Sequence, residues 1–491
     1  MGKIDWTSYK TILFAAFFIR LIAAIFSQGY GMHDDHFLVI EAATSWTDGH
    51  DYNHWLPWSP ENRGGPEGHS FTYVGLNYFF FSALKGIGIS DPKILMLFNR
   101  LVHALFSLLI VSFSFKITEK LSNRKNAVIV GWVLALLWVL PFLSVRNLVE
   151  IVCIPFMLWG IWVGIKSDNR NRFLWAGMLI GMAISIRYQV AVYALGMAAV
   201  YFFRKEWRSF LLFSAGVVLV FSLTQGLVDF LIWDYPFAEF IRYATYNTKE
   251  GTEYIPNDNY FMYILVLMGA FLVPLGLLIG VGFFKSWKKY VLLFVPVMAF
   301  LLFHTFYPSK QERFILPVLP LFLMLGVMGY DYLRSTWKWE KIWTISWKAF
   351  WVLNLPLLLF ASMTYTKKSR VEAMYFFHDK EENIRILQEA TGETGVSMLP
   401  KFYANNWYLS ALARTDSSQL LTVHPGYRYD YILFIGEERL DQRIAQYRTI
   451  YPKMEFAKTC EPSMVDMLLR WLNDRNRNEY IEIWKTNSVR R

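Results

Sequence analysis

The chain has 491 residues, 55% of them hydrophobic and 18% aromatic, with a mean hydropathy of +0.27. Such a composition excludes an ordinary soluble protein and points to a polytopic membrane protein. The formal charge of +10 does not mark a nucleic-acid binder, because the basic residues cluster in short loops between apolar runs, as bilayer orientation requires. The two cysteines, Cys153 in an apolar run and Cys460 in the polar tail, make neither a disulfide framework nor a metal site.

The apolar runs are 11–27, 93–115, 127–145, 148–165, 173–186, 189–203, 209–232, 260–284, 290–306, 314–333 and 343–364. Most approach the ~20 residues a helix needs to cross the hydrocarbon, and they predict about eleven transmembrane helices. The first run follows Lys3 and Lys10 with no small-residue cleavage site, so it reads as an uncleaved span. The stretch Phe71–Ile89 is long enough to span but is interrupted by Asn77, Lys85, Gly86 and Gly88. Read as interfacial or re-entrant, it leaves five basic loops on the side of the N-terminus. These hold Lys116, Lys120, Arg124 and Lys125; Lys166, Arg170 and Arg172; Arg204, Lys205 and Arg208; Lys285, Lys288 and Lys289; and Arg334, Lys338 and Lys341. That side is then cytoplasmic, and the C-terminus is outside.

The opposite face receives the first outer loop, 28–92, with Asp34 and Asp35. It also receives Arg146 and Glu150, then Arg187, the loop 233–259, and Lys310, Glu312 and Arg313. One such charge could snorkel to the headgroups. Five sets of both signs on one face predict a shared wet cavity. The elbow Tyr307-Pro308-Ser309-Lys310-Gln311-Glu312-Arg313-Phe314-Ile315-Leu316-Pro317 is charged where a bland turn would be Gly, Ser or Asn. The loop after Asp229 is dense in rings and amides, including Tyr246 and Asn247, and continues through Gly251, Thr252, Glu253 and Tyr254. His33 and His36 flank the acid pair and suggest a metal. Neighbouring residues cannot easily all face one ion, however, so no metal site is expected.

After Tyr365 the composition turns polar. A membrane domain 1–365 and a small α/β domain 366–491 on the non-cytoplasmic side are expected. In the latter, helices are predicted at Glu372–Ala390, Ala404–Ala413, Glu437–Tyr447 and Met464–Leu472. Strands are predicted at Val396–Leu399, Tyr429–Ile435 and Tyr480–Trp484. No Gly-rich phosphate loop is present there.

These residues resemble glycosyltransferase family 22, the lipid-phosphate-mannose-dependent mannosyltransferases with the GT-C membrane fold. The family's His-Pro-Asp-Glu signature is matched loosely by Met32-His33-Asp34-Asp35-His36-Phe37 with Glu41 a turn later. Arg146-Asn147 with Glu150 and Ile186-Arg187 match two further elements. Ser309-Lys310-Gln311-Glu312-Arg313-Phe314-Ile315-Leu316-Pro317 matches the element His-Lys-Glu-x-Arg-Phe-x-x-Pro in its Lys, Arg, Phe and Pro. The similarity covers about residues 10–335.

The resemblance implies an inverting transfer of a hexose, mannose by analogy, from a polyprenyl- or dolichyl-phosphate carrier to a glycan or glycolipid hydroxyl, with no cofactor or metal. Asp34, with Asp35 close behind, would be the general base, a role worth ~10²–10⁴ in rate. Arg187, Lys310 and Arg313 would hold the phosphate as charge develops on it. Glu41, Arg146, Glu150, Asp229, Tyr246, Asn247 and Glu312 would bind or orient substrate. A bacterial inner membrane is favoured, with the endoplasmic reticulum as the alternative. Rival readings are another GT-C enzyme, such as a protein O-mannosyltransferase or aminoarabinose transferase, and a lipid-linked sugar transporter. The transporter would need broken helices in two related halves, a symmetry the chain does not display.

Overall fold

The computed structural model describes residues 5–60, 64–166, 169, 171–249, 257–334, 340–380, 384–390, 398–414, 429–472 and 478–487. Arg170, Gly251, Thr252, Glu253, Tyr254, Lys338, Val396 and Ser397 therefore lie outside the described residues. The chain divides into two compact units. One comprises Met1–Ile25, Asn53–Leu76 and Asn99–Met363; the other comprises Phe26–Tyr52, Asn77–Phe98 and Thr364–Arg491.

Among the described residues, six helices are long and apolar enough to cross a membrane: Tyr9–Phe26, Pro92–Leu121, Val149–Lys166, Trp207–Trp233, Glu312–Asp331 and Glu340–Ser362. The pair Met262–Ala270 and Leu275–Lys285, bent by 118°, makes a seventh if counted as one span. Every expected run carries helix with ends close to those expected, and two of the runs, 127–145 and 260–284, are broken in the middle. Arg172–Ile186, Val190–Phe203 and Val291–Phe306 are shorter apolar helices. The run 127–145 divides into Arg124–Leu136 and Leu140–Ser144. The ambiguous stretch forms one helix, Phe71–Gly86.

The break after Leu136 exposes carbonyls that an apolar surrounding cannot solvate. Two buried polar side chains satisfy them. Asn354 donates from Nδ2 to the Leu136 carbonyl at 2.7 Å and accepts from the Trp138 N–H at 2.8 Å. Arg20 donates to the carbonyls of Leu134 and Ala135, each at 3.1 Å, and to Ser107 Oγ at 2.9 Å. Small residues set one of the close helix contacts. A Cβ at Gly177 would stand 2.0 Å from the Phe213 carbonyl oxygen, and one at Gly216 would stand 2.2 Å from that of Leu174. Helices Arg172–Ile186 and Trp207–Phe221 thus touch backbone to backbone.

The second unit holds a five-stranded sheet of β1 (Arg385–Ala390), β2 (Ser410–Arg414), β3 (Tyr431–Ile435), β4 (Glu455–Cys460) and β5 (Ile481–Lys485), in the order β2-β1-β3-β5-β4. β1 runs parallel to β2 and β3, and β5 runs antiparallel to β3 and β4. Leu387, Ile432, Phe434, Ile444, Tyr447 and Trp484 form its core.

Two of the predicted helices are corrected here. The segment Glu372–Ala390 is a helix only as far as Tyr375 and becomes β1 at Arg385. Its Gln388-Glu389-Ala390 favours helix in isolation, but the strand is paired on both sides, and tertiary pairing overrides local propensity. Glu389 is buried and held by Arg443 at 2.7 Å. The segment Ala404–Ala413 is instead a 3-10 turn, Lys401–Ala404, followed by β2. Asn405 takes the left-handed conformation between them, which stops the helix. Met398 and Leu399 are irregular, and β4 was not expected.

Candidate active site

The acid pair lies in the second unit. A turn at His33–Asp35 runs into a π-helical turn, His36–Glu41, and then into the helix Ala42–Thr47. First-turn acids suit the positive end of such a run. Asp34 is half-buried, and Asp35 and Glu41 are buried. The wider π turn brings residues five apart onto one face, and His36 Nε2 stands 3.2 Å from Glu41 Oε1. The same Glu41 oxygen accepts the Phe402 N–H at 3.1 Å. The His36 ring stacks between Tyr30 at 4.6 Å and Tyr403 at 5.6 Å. Burial lowers the His33 pKa against the pull of Asp34, so the imidazole beside the acid is neutral at neutral pH. Thr366 holds the start of this loop, donating its N–H to the Gln28 carbonyl and its hydroxyl to that of Tyr30.

The cations lie in the first unit. Glu150 opens the helix Val149–Lys166, and Arg187 follows the last residue of Arg172–Ile186, so each charge complements its own helix end. Arg187 Nη1 donates to Glu150 Oε1 at 2.7 Å, and Arg313 Nε stands 3.6 Å from the same oxygen. Arg313 also donates to Gln311 Oε1 at 2.8 Å. The guanidinium groups of Arg187 and Arg313 lie 5.1 and 5.8 Å from the Phe314 ring centre. Lys310 donates to the Asn257 carbonyl and sits 5.4 Å from the Tyr260 ring. All four charged side chains are buried. Arg187 Nε and Nη2 and Glu150 Oε2 have no partner among the described residues. Leaving such groups buried and unmet costs ~1–3 kcal/mol each, more when charged. An anion placed there removes that cost for the two Arg187 nitrogens.

Arg146 is buried with its guanidinium 4.5 Å from the Phe142 ring. Glu312 is exposed, and it is Gln311, which the sequence did not single out, that holds Arg313. Asp229 accepts from Gln225 Nε2 at 2.7 Å and from the Glu239 N–H at 2.9 Å, which anchors the helix Ala238–Lys249. On that helix Tyr246 stands 5.8 Å from Arg242, and Asn247 Oδ1 accepts from Tyr307 at 3.0 Å. Asn247 thereby ties the loop helix to the residue before the Pro308 elbow.

Sequence reasoning also missed Glu239. Its buried carboxylate accepts from the N–H groups of Gly68 at 2.6 Å and His69 at 2.9 Å, and from Trp233 Nε1 at 3.0 Å. Burial outweighs these donors and pushes its pKa from 4.5 to about 7. The unfolded chain therefore gives up this proton first, so stability falls as pH rises from 4.5 to about 7 and is level above. Thermal midpoints of the purified protein are expected to drop across that window. The drop is expected to be shallower in Glu239→Gln.

The sequence profile of the Alg9-like mannosyltransferase family matches residues 11–403. The Saccharomyces cerevisiae Dol-P-Man:Man(7)GlcNAc(2)-PP-Dol alpha-1,6-mannosyltransferase is 28% identical over 263 residues, 50% of this chain and 46% of that enzyme. The chain thus spans about half the length of this curated relative. Among solved structures, ArnT from Cupriavidus metallidurans bound to undecaprenyl phosphate superposes with a TM-score of 0.63 at 12% identity, covering 98% of each chain. The Archaeoglobus fulgidus oligosaccharyltransferase gives 0.54 at 12% identity, covering 89% of this chain and 69% of that one. The helical membrane architecture and small sheet domain are those of the GT-C fold, and the chain belongs to the Alg9-like mannosyltransferase family, as its residues led us to expect.

Proposed function

We propose that this enzyme moves a hexose, mannose in our reading, from a polyprenyl- or dolichyl-phosphate carrier to a hydroxyl of a glycan or glycolipid. The observation that carries the proposal is the buried Arg187–Glu150–Arg313 cluster, in which two Arg187 nitrogens lack a partner among the described residues. An arginine fork matches phosphate geometry. The undecaprenyl phosphate bound by ArnT and the Dol-P-Man in the yeast relative's name support a lipid-phosphate donor.

In the proposed reaction the acceptor oxygen attacks C1 of the hexose from the face opposite the phosphate, which inverts that centre. The bond from C1 to the phosphate oxygen breaks, and its electron pair leaves with the lipid phosphate. Asp34 takes the hydroxyl proton, and Asp35 lies beside it. Arg187, Lys310 and Arg313 stabilise the charge growing on the phosphate. Glu41 and Glu150 orient neighbouring groups. The proposal includes no metal ion and places the reaction on the non-cytoplasmic face, with a bacterial inner membrane as the favoured setting.

The test is reconstitution of the full chain in liposomes with labelled mannosyl polyprenyl phosphate, a candidate glycolipid acceptor and EDTA. Loss of label from the carrier, with labelled product formed, is expected. Failure with mannose but turnover of an aminosugar carrier would move the enzyme to the rival GT-C activity. A Glu312→Cys protein is expected to react with an impermeant thiol reagent only from the non-cytoplasmic side, and labelling from the cytoplasm would reverse the topology.

A further inference from the structure

His304 lies in the helix Val291–Phe306, buried, and sequence reasoning assigned it nothing. Its Nδ1 stands 2.9 Å from the Phe300 carbonyl. A carbonyl only accepts, so Nδ1 carries the hydrogen, and in the neutral ring Nε2 is a hydrogen-bond acceptor. That Nε2 is buried with no partner among the described residues. The ring centre is 6.1 Å from Phe314, the same ring against which Arg187 and Arg313 pack.

The unmet atoms here include the Tyr263 hydroxyl, which can donate or accept, and two further kinds. Arg187 Nε and Nη2 offer hydrogens, whereas His304 Nε2 and Glu150 Oε2 offer lone pairs. A bare phosphate satisfies only the first kind, because its oxygens repel lone pairs. A ligand carrying both an anionic oxygen and a hydroxyl satisfies both. We propose that His304 is a specificity-determining residue for the donor sugar, its Nε2 accepting a hydrogen bond from a hydroxyl of the hexose carried on the lipid phosphate. This rests on the donor reading above and adds to it a residue that reads the sugar rather than the phosphate.

The experiment compares two ligands on the full-length protein in nanodiscs: polyprenyl phosphate and mannosyl polyprenyl phosphate. His304→Phe keeps the shape of the ring but has no acceptor. It is expected to bind polyprenyl phosphate within about twofold of wild type and the mannosylated lipid about tenfold more weakly, the effect of one lost hydrogen bond. His304→Gln, whose Oε1 can accept, is expected to recover most of that loss and guards against a folding defect. Equal weakening for both lipids, or none in His304→Phe, overturns the proposal. If the wild-type protein binds neither lipid, the donor reading itself fails, a result distinct from a failure of His304 alone.

Discussion

Replacing Asp34 with Asn is expected to slow hexose transfer by about 10²–10⁴-fold, the usual worth of a positioned general base. The side chain keeps its size and remains at the first turn of the helical run, so folding is expected to be unchanged. Binding of polyprenyl phosphate should stay within about twofold, because the group removed acts on the acceptor proton and not on the leaving phosphate. Asp35→Asn provides the comparison. Asp35 is buried while Asp34 is half-buried, so Asp34 is the acid an acceptor reaches more readily. Single-turnover rates of the two variants with a preloaded donor decide between them. A larger loss in Asp35→Asn would transfer the base to that residue, and full activity in both would remove the acid pair from the chemistry.

The second large effect is expected at Arg187. Arg187→Met leaves Glu150 buried without its 2.7 Å partner, and breaking a buried pair in this way costs about 3–5 kcal/mol. A lower thermal midpoint and loss of polyprenyl phosphate binding should appear together. Arg187→Lys separates the two effects. It preserves the positive charge against Glu150 but lacks the planar fork. Its thermal midpoint is therefore expected near wild type, while affinity for polyprenyl phosphate falls by about 10- to 100-fold, the range of charged hydrogen bonds. Unchanged affinity in Arg187→Lys would show that the fork does not hold the phosphate.

Residues that are costly to place were legible without coordinates. Asp34 and Asp35 at a span end, Arg187 after one helix and Glu150 at the start of another could be singled out because charge is rare there. The salt bridge between the last two agrees with the expectation that charges on that face pair. Residues whose meaning depends on a distant partner were not legible. Gln311 was not singled out in the elbow, yet it holds Arg313. Glu239 was passed over because its three N–H donors, two of them from residues 68 and 69, are distant in sequence or invisible without coordinates. Glu389 argued for helix because nothing nearby reveals Arg443, 54 residues on. His304 lies in an aromatic run and was assigned nothing. The breaks inside the runs 127–145 and 260–284 were hidden for a related reason. Hydropathy sees apolar runs, but not the breaks that polar side chains elsewhere make tolerable.

Those breaks bear on how the protein is made. The carbonyl at the end of Arg124–Leu136 is met by Asn354, which is synthesised 218 residues later. Arg20, by contrast, emerges ahead of the carbonyls it holds. As the nascent chain leaves the ribosome, one clamp is in place early, while the other must wait for the last membrane segment to enter from the translocon. Membrane insertion and completion of the fold are therefore separate events. A chain stopped before residue 354 would be left with a raw helix end in the lipid, a mark by which quality-control proteases can recognise an unfinished copy.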